Sequence, residues 1–329
     1  MNPLGALFGA GVDVRNRLYD RGTLRANRLR APVVSIGSIS AGGAGKTPFL
    51  IMLGELLKQR GLAFDVLSRG YGRRTKGLAL VNPEGSAQEF GDEPLLIARK
   101  LGVPVIVGEN RYAAGQFAEQ RFGLQAHLLD DGFQHRRLAR DFDIVLVTDE
   151  DLHDSLLPAG RLREPLASLS RASAIVVMDQ MTSDQIEVRE GQYVWHAYRT
   201  IVPPETRDPC FAFCGIARPQ NFLAELRKAG IQLAGSYEFR DHNAYRTADA
   251  GLLQRLRRQS GATAFVTTEK DAVNLGGYLS QLQPIHVVPV RMQVEDSSEP
   301  VAGAVRVGAS PDEQLYRFLT RQNKNRVRE

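Results

Sequence analysis

The sequence predicts an α/β fold, in which a parallel sheet with helices on both faces is followed by a smaller C-terminal α/β domain. Two observations lead to this prediction. Apolar, β-branched runs alternate with helical patterns through the first half of the chain, which is typical of parallel sheets. A glycine-rich segment joins the first of these runs to the first helical pattern after it, and such connections bind ligands at the carboxyl edge of the sheet.

The predicted elements follow one another in a regular order. The first half contains strands at 33–39, 64–68, 103–107, 127–129, 144–147 and 174–178, and helices at 47–59, 93–100 and 111–121. The second half contains strands near 211–214, 236–239, 264–267 and 285–290, and helices near 219–229 and 247–259. We therefore expect an amphipathic N-terminal region at 1–30, a nucleotide-binding domain at 31–190, a connecting strand or linker at 191–205, and the smaller domain at 206–329. Residues 321–329 are polar and predicted to be frayed.

Composition restricts the class of protein. Of 329 residues, 43% are hydrophobic and 24% are charged, which is ordinary for a globular protein. Two cysteines are too few for a disulfide framework and indicate a reducing compartment. No apolar stretch approaches the roughly 20 residues of a spanning helix. The net charge of +5 suits phosphorylated ligands or an anionic surface, but no nucleic-acid motif is present and we expect no nucleic-acid partner.

The N-terminal segment has two interpretations. Apolar residues from Leu4 to Leu18 have partly helical spacing, and arginines follow closely between Arg15 and Arg30. An amphipathic helix of this kind could lie on an anionic membrane surface. It could equally be a first helix packed on the sheet with its arginines in solvent, and the residues alone leave both interpretations open.

The segment after the first strand has the layout of a phosphate-binding loop, which makes the predicted sheet P-loop NTPase-like. Small residues let backbone amides surround phosphate oxygens, and the following helix directs its positive end at the same anion. Lys46 would reach the β- and γ-phosphates, and the Thr47 hydroxyl would bind Mg²⁺. The alternative is a glycine-rich turn without a ligand. The loop consists of Ser40, Ala41, Gly42, Gly43, Ala44, Gly45, Lys46 and Thr47, with Ser40 where the strict motif has Gly.

Acidic residues follow other predicted strands. Asp130 and Asp131 end an apolar strand, where phosphate-loop proteins place a carboxylate that holds Mg²⁺; the alternative is a turn cap. Asp92 stands where a loop enters a helix, so it is either an N-cap or a group that accepts the proton of an attacking hydroxyl. From residue chemistry alone, capping is favoured.

Two further segments carry candidate groups. Arg161 and Arg163 could bind phosphates and Glu164 could be a third acidic group near the metal, unless this is a solvated loop with local ion pairs. Asp241 and His242 are a candidate acid–base pair, although a lone histidine is more often structural. The segment 267–271 does not match the T-K-x-D pattern that reads guanine, which argues against a GTPase switch protein.

Together these segments resemble the tetraacyldisaccharide 4′-kinase family, the lipid A 4′-kinases of Gram-negative bacteria. The resemblance runs in the family's order from about residue 30 to 272, and Ser40 is not unusual within it. One difference is Asn243, where the family often has a second histidine. The matching segments are Ser40–Pro48, Ser68–Gly72, Gly91–Pro94, Asp130–His135, Leu157–Pro165, Asp241–His242 and Thr268–Asp271.

The resemblance implies transfer of the ATP γ-phosphoryl group to the 4′-hydroxyl of a lipid A precursor disaccharide, with ATP and Mg²⁺ as cofactors. It also implies peripheral attachment to the cytoplasmic face of the inner membrane, and we expect a monomer. Asp92 paired with His242 becomes the expected base. The resemblance implies further site residues: Lys46 acts in catalysis, and Arg111 and Arg163 stabilise the charge of the phosphates. The implied ligands of Mg²⁺ are Thr47, Asp130, Asp131 and Glu164.

Other classes of protein share part of this pattern. A P-loop ATPase or GTPase acting on a protein or metal partner would have the loop and the strand-end aspartate, but its turnover would not depend on a lipid acceptor. A kinase of a soluble metabolite would not need the basic, apolar N-terminus. A non-enzymatic nucleotide-binding scaffold would tolerate loss of Asp92, Asp131 and His242.

Overall fold

The computed structural model describes residues 3–179, 181–295 and 310–326. The helices are α1 (Pro3–Asp20), α2 (Lys46–Gln59), α3 (Ala87–Phe90), α4 (Asp92–Leu101), α5 (Arg111–Glu119), α6 (Asp149–His153), α7 (Pro219–Lys228), α8 (Thr247–Ser260), α9 (Glu269–Leu275) and α10 (Pro311–Arg326). The strands are β1 (Val33–Ser38), β2 (Phe64–Ser68), β3 (Ala79–Leu80), β4 (Val105–Val107), β5 (Ala126–Asp130), β6 (Phe142–Val147), β7 (Ala174–Met178), β8 (Tyr193–Ile201), β9 (Cys210–Cys214), β10 (Leu233–Glu238), β11 (Ala264–Thr268), β12 (Ile285–Val288) and β13 (Val290–Glu295).

The chain divides into two compact units, and each takes its residues from separate parts of the sequence. The first unit draws on Met1–Arg69, Val103–Arg199 and Met292–Glu329. The second draws on Gly70–Gly102 and Thr200–Arg291. From the sequence we predicted a single domain over residues 31–190. In the structure, residues 70–102 belong to the second unit. The reason is local: α4 packs on α9, where Asp92 accepts a hydrogen bond from Asn274 and Lys100 pairs with Glu269.

The first unit is built on a sheet with the strand order β13–β8–β7–β6–β1–β5–β2–β4. β1 lies between β5 and β6 and is parallel to both, with Val34 opposite Leu128 and Phe142. Every residue of β1, β2, β5, β6 and β7 is buried, as expected for parallel strands covered on both faces. Because these strands are parallel, their carboxyl ends share one edge, where the phosphate loop and Asp130 both lie.

One face of this sheet carries two apolar clusters. In the first, Leu67, Ile106 and Leu129 pack with Ala114 and Ala118 of α5. The second contains Val145, Val147, Ile175, Val177 and Leu169, and the strand register places it on the same face. The other face is covered as well, since Val34, Leu128 and Ile144 on that face are fully buried. The predicted α/β class, with a parallel sheet covered on both faces, is confirmed.

The second unit contains a parallel sheet in the order β10–β9–β11–β12. Residues of α7 pack on one face beside Ala212 and Val266. Phe211, Phe213 and Phe265 point to the other face, toward α8. The two cysteines are buried free thiols in β9, so they pack as small apolar residues.

The C-terminal segment differs from the prediction. Residues 321–326 were expected to be frayed but form the end of α10, while 327–329 lie outside the described residues. The helix is held by long-range contacts, since Leu319 is fully buried and Arg326 donates to the carbonyl oxygens of Leu29 and Arg30. None of the described helices is long and apolar enough to cross a membrane.

Candidate functional site

The phosphate loop connects β1 to α2 in the first unit. Gly42, Gly43 and Gly45 have φ values of 71°, 78° and 83°, a left-handed conformation that glycine adopts without the steric cost of a side chain. No side chain caps the start of α2, which begins at Lys46. The first amides of a helix have no intrahelical acceptor, so this loop and helix terminus together form an anion-binding site.

Two arginines bind the carbonyl oxygens of the loop. Arg161 donates to Ala41 O at 3.0 Å and to Gly42 O at 3.4 Å, and Arg199 donates to Gly43 O at 3.4 Å. Carbonyl oxygens repel anions. Because the two arginines donate hydrogen bonds to these oxygens, they reduce that repulsion and add positive charge beside the loop. Arg161 thus lies against the backbone of the phosphate loop, and its role as a phosphate ligand stays a prediction.

Lys46 and Arg163 converge on one carboxylate. Lys46 Nζ lies 3.4 Å from Asp131 Oδ1 and 3.3 Å from Ser38 Oγ. Arg163 donates two hydrogen bonds of 2.7 Å to the two oxygens of Asp131, the bidentate geometry that arginine favours. Burial alone would raise the pKa of Asp131, but Lys46 and Arg163 lower it well below its usual range. Asp131 is therefore an anion at any physiological pH.

The two aspartates at the end of β5 have different surroundings. Asp130 is buried and accepts a hydrogen bond of 2.8 Å from Ser68 Oγ at the end of β2. Asp131 has φ +49°, a left-handed conformation that aspartate tolerates better than most residues, and its side chain is 37% exposed. Asp131 is thus the more accessible carboxylate of the pair.

Arginines surround this edge of the sheet. Arg111, the first residue of α5, is only 6% exposed and donates to Glu109 O at 2.9 Å. Burial and the charge of Arg69 lower the pKa of Arg111, while Asp130 and Asp131 raise it. Burial and four arginines, Arg111 first among them, lower the pKa of His135 to about 4, so this histidine is neutral at pH 7.

Glu164 has partners that the sequence did not suggest. Its buried carboxylate accepts hydrogen bonds of 2.7 Å from Asn16 and 2.8 Å from Arg171, and Arg15 lies 3.6 Å away. Asn16 and Arg15 belong to α1, so Glu164 ties that helix to the first unit. Its role as a third acidic group at the metal stays a prediction.

The donor set around the loop suits Mg²⁺ bound together with phosphates. Within residues 3–179, 181–295 and 310–326, no group of three or more His, Cys, Asp or Glu side chains is arranged to hold a metal ion alone. Mg²⁺ at phosphate-transfer sites is bound through one or two carboxylates, phosphate oxygens and water. The Thr47 hydroxyl and the two strand-end aspartates supply oxygens of this kind.

The second unit contains the predicted acid–base pair. His242 Nδ1 lies 3.0 Å and 2.9 Å from the two oxygens of Asp92, so the structure brings together side chains 150 positions apart. Asp92 is the first residue of α4 and is 3% exposed. It also accepts 2.9 Å hydrogen bonds from its neighbouring amide at Glu93 and from the Asn274 side chain. Asp92 therefore pairs with His242 but is not the N-cap, because Gly91 holds that position and no side chain caps α4.

The surroundings of the pair shift the pKa values of both side chains. Burial alone would raise the pKa of Asp92, but the hydrogen bond from His242 and the charge of Lys270 lower it below its usual value. Burial would lower the pKa of His242, yet Asp92 raises it overall. His242 has φ +57°, and its amide donates to Gly215 O at 3.1 Å, which fixes the backbone that carries the ring.

Sequence reasoning missed three groups around this pair. Asn274 and Lys270 both lie on α9, which was not predicted as a helix. The Tyr71 ring lies 5.0 Å from the His242 ring, centroid to centroid. A usable pattern was present in Thr268-Glu269-Lys270-Asp271, because a Thr N-cap followed by Asp three residues later is typical of a helix start, and Thr268 does cap α9.

Comparison with known proteins gives matches over nearly the whole chain. A sequence model of the family described as tetraacyldisaccharide-1-P 4′-kinase (LpxK) matches residues 1–305. A tetraacyldisaccharide 4′-kinase of Koribacter versatilis is 48% identical over 317 residues, covering 93% of this chain and 98% of that relative. One of Aquifex aeolicus is 36% identical over 295 residues, covering 84% and 89%.

A solved structure is similar as well. A crystal structure described as the "apo" form of LpxK from Aquifex aeolicus in complex with ATP matches with a TM-score of 0.75 and 32% sequence identity. The match covers 97% of both chains. The similarity therefore includes the residues of both units and is not confined to the phosphate loop.

Proposed function

The chain belongs to the tetraacyldisaccharide-1-phosphate 4′-kinase family, and we propose that it transfers the γ-phosphoryl group of ATP to the 4′-hydroxyl of tetraacyldisaccharide 1-phosphate in lipid A biosynthesis. The observation that carries this proposal is the phosphate loop, which leads into α2 without a side-chain cap on the helix. Beside it, Lys46 and Arg163 contact the strand-end Asp131. The chain around this loop matches the family over residues 1–305. The comparisons give no support to an ATPase or GTPase that acts on a protein or metal partner.

The loop and its basic residues bind and orient ATP in this proposal. The amides of Ala44, Gly45 and the start of α2 face the β- and γ-phosphates, and Lys46 neutralises charge that builds up on the transferred group. Arg111 and Arg163 add positive charge around the phosphates. Asp131, kept ionised, holds Lys46 and Arg163 in place.

The transfer forms one bond between phosphorus and oxygen and breaks another. The oxygen of the 4′-hydroxyl bonds to the γ-phosphorus, the bond to the β,γ-bridging oxygen breaks, and ADP leaves. The hydroxyl proton goes to the Asp92–His242 pair. Phosphoryl transfer has a loose transition state that depends more on charge and position than on a strong base.

Thr47 and Asp131, with Asp130, would hold Mg²⁺. When bound, the ion neutralises charge on the phosphates. The oxygen donors at this edge of the sheet fit that role, because a magnesium ion shared with phosphates needs few protein ligands.

A membrane surface is the proposed location of the reaction. Leu4, Leu7 and Val14 of α1 are 60%, 72% and 56% exposed, whereas Gly5, Gly9, Val12 and Asn16 form its buried face. A surface helix normally buries its apolar side chains, so the exposed stripe suits insertion into the interface of an anionic bilayer beside the arginines that follow. We infer peripheral attachment of a monomer at the cytoplasmic face of the inner membrane, without a nucleic-acid partner.

The test is transfer of labelled γ-phosphate from Mg-ATP to tetraacyldisaccharide 1-phosphate in mixed micelles, beside a reaction without lipid. We expect labelled lipid only with the acceptor, and its loss in Lys46→Ala. Lys58→Ala is the matched control, because Lys58 is an exposed lysine at the other end of α2. ATP hydrolysis that is indifferent to lipid, without labelled lipid, would overturn the proposal.

A further inference from the structure

Lys270 of α9 lies in the middle of the acid–base cluster of the second unit. Its side chain is 17% exposed. Its Nζ atom is 3.2 Å from His242 Nε2 and 3.2 Å from Asp241 Oδ1. Glu93 Oε1 is 3.4 Å away and Asp92 Oδ2 is 3.9 Å away. The lysine therefore contacts the ring nitrogen of His242 that does not face Asp92.

The hydrogen-bonding roles follow from the chemistry of the groups. An ammonium group has three donors and no acceptor. Nε2 of His242 can approach it favourably only as an acceptor, so that nitrogen carries no proton. A neutral imidazole carries its single proton on the other nitrogen, and Nδ1 then donates to the Asp92 carboxylate. The contacts on the two sides of the ring thus specify the same tautomer.

We propose that Lys270 is a positioning residue, which holds His242 in its Nδ1–H tautomer and opposes the addition of a second proton to the ring. The consequence for catalysis rests on the proposed function, since it concerns the pair that accepts the hydroxyl proton. The tautomer itself does not depend on that function. Lys270 acts through His242 and does not touch the reacting atoms in this proposal.

Charged groups face His242 from each element around it. Asp92 and Glu93 approach from α4, Asp241 is its neighbour in the chain, and the Tyr71 ring packs against it. The carboxylates favour a doubly protonated ring, while the charge of Lys270 disfavours it. Lys270 itself stays charged, because burial lowers its pKa less than Glu93, Asp92 and Asp241 raise it.

Without Lys270 the cluster would hold an excess of negative charge. His242 would then take up a second proton at a higher pH than in the wild-type protein. At acid pH the pair would already be protonated and could not accept the proton of the attacking hydroxyl. Lys270 therefore extends the active range of the pair toward acid pH. Lys270 is the second residue of α9. The N-cap Thr268, which accepts a hydrogen bond from the Asp271 amide, fixes the start of this helix and so the position of Lys270.

The first measurement is made on the wild-type protein. Nitrogen-15 NMR of the imidazole rings in the full-length protein distinguishes the two neutral tautomers, and His242→Gln assigns the resonance among the six histidines. We expect neutral His242 to carry its proton on Nδ1. A neutral ring with the proton on Nε2 would overturn the proposal, whatever the enzyme's activity.

The second measurement compares Lys270→Met with Lys100→Met. Lys100 of α4 pairs with Glu269 of α9, so its loss removes the same charge between the same helices without a contact to His242. In Lys270→Met we expect the imidazole to titrate at higher pH and kcat/KM on the acidic side of the profile to fall about tenfold. Lys100→Met should keep the wild-type titration and profile.

The outcomes separate this inference from the proposed function. If wild type labels the lipid and Lys270→Met leaves both the titration and the acidic limb unchanged, Lys270 has no such role and the kinase assignment stands. If wild type does not label the lipid while the titration of His242 shifts in Lys270→Met, the kinase assignment fails and the role of Lys270 stands. If Lys270→Met does not fold, the tautomer in the wild-type protein decides.

Discussion

In the proposed reaction, Lys46 and His242 contribute to phosphoryl transfer in different ways. Lys46 stands at the start of α2 beside Asp131, where its charge is available to the transferred group. His242 contacts Asp92, and this pair takes up a proton that a loose transition state releases late. The interaction with developing charge is therefore expected to matter more than the base.

We expect Lys46→Ala to lower kcat by about 10²-fold or more and His242→Ala to lower it less. Steady-state transfer to the lipid acceptor, measured with saturating Mg-ATP, gives the comparison. Circular dichroism and melting curves of both variants establish that each is folded. Equal losses in the two variants would contradict this ranking and would indicate that removal of the proton limits the reaction.

A charged histidine lies in the core of the first unit. His127 on β5 is fully buried, with Nδ1 2.7 Å from Asp65 and Nε2 3.2 Å from Glu119. Glu119 also accepts a hydrogen bond from the Ala31 amide. Burial alone would lower the pKa of His127, but the two carboxylates raise it to about 9, so the ring is charged at neutral pH.

The raised pKa of His127 links stability to pH. A cation favoured by the folded state adds stability below the unfolded pKa of about 6.5, and that stability is lost as pH rises through about 9. We expect the free energy of unfolding to be larger for wild type than for His127→Gln at pH 6. This difference should decrease by at most about 3 kcal/mol between pH 6 and pH 10. Urea titrations measure this difference.

The exposed His153 provides the control. His153→Gln should differ little from wild type at every pH, because the ring has no buried partner to lose. A margin between wild type and His127→Gln that stays constant across the pH range would show that His127 is neutral in the folded protein.

At the scale of elements, α1 has two faces with different surroundings. The face formed by Gly5, Gly9, Val12 and Asn16 is buried, and a Cβ atom added to Gly9 would lie 2.8 Å from Leu156 Cδ1. The small residues thus let the helix approach the first unit closely. The exposed face carries Leu4, Leu7 and Val14 and is not needed for that packing.

Because only one face packs, the membrane role of α1 can be tested without removing the helix. We expect Leu4→Ser/Leu7→Ser to reduce sedimentation with anionic vesicles, since two side chains that would enter the bilayer interface become polar. Leu78→Ser/Leu80→Ser is the matched control, as these leucines are 41% and 43% exposed in the second unit. Equal sedimentation of both variants would exclude the exposed face of α1 as the membrane contact.

At the scale of the whole molecule, the sequence predicted what local patterns determine. The β-branched runs that became β1, β6 and β7 are buried at every position, so their hydrophobicity was sufficient to find them. The phosphate loop was recognisable because Gly42, Gly43 and Gly45 need positive φ. The fold class and the family were therefore within reach of the sequence.

Contacts between distant residues were not within reach. Glu164 binds Asn16, 148 positions away, and Asp92 binds Asn274, 182 positions away; no local pattern records either distance. The assignment of residues 70–102 to the second unit depends on the same contacts of α4 with α9. The pairing of Asp92 with His242 came from the family resemblance, while residue chemistry alone favoured a helix cap.

The C-terminal helix α10 also makes contacts between residues far apart in the sequence of the first unit. α10 lies beyond the part of the chain that matches the family model, yet Leu315 and Leu319 are fully buried. The Phe318 ring lies 5.0 Å from the Phe142 ring. Arg326 donates to Leu29 O at 3.2 Å and to Asp141 Oδ1 at 2.6 Å, so α10 holds the segment that enters β1.

We therefore expect Leu319→Ala to lower the free energy of unfolding by about 2–5 kcal/mol, the range for a buried leucine that leaves a cavity. Arg321→Ala is the control on the same helix, because Arg321 is exposed, and it should change stability by less than about 0.5 kcal/mol. Urea unfolding of both variants gives the comparison. If Leu319→Ala is as stable as Arg321→Ala, α10 does not pack on the first unit in solution, and the fold is complete without it.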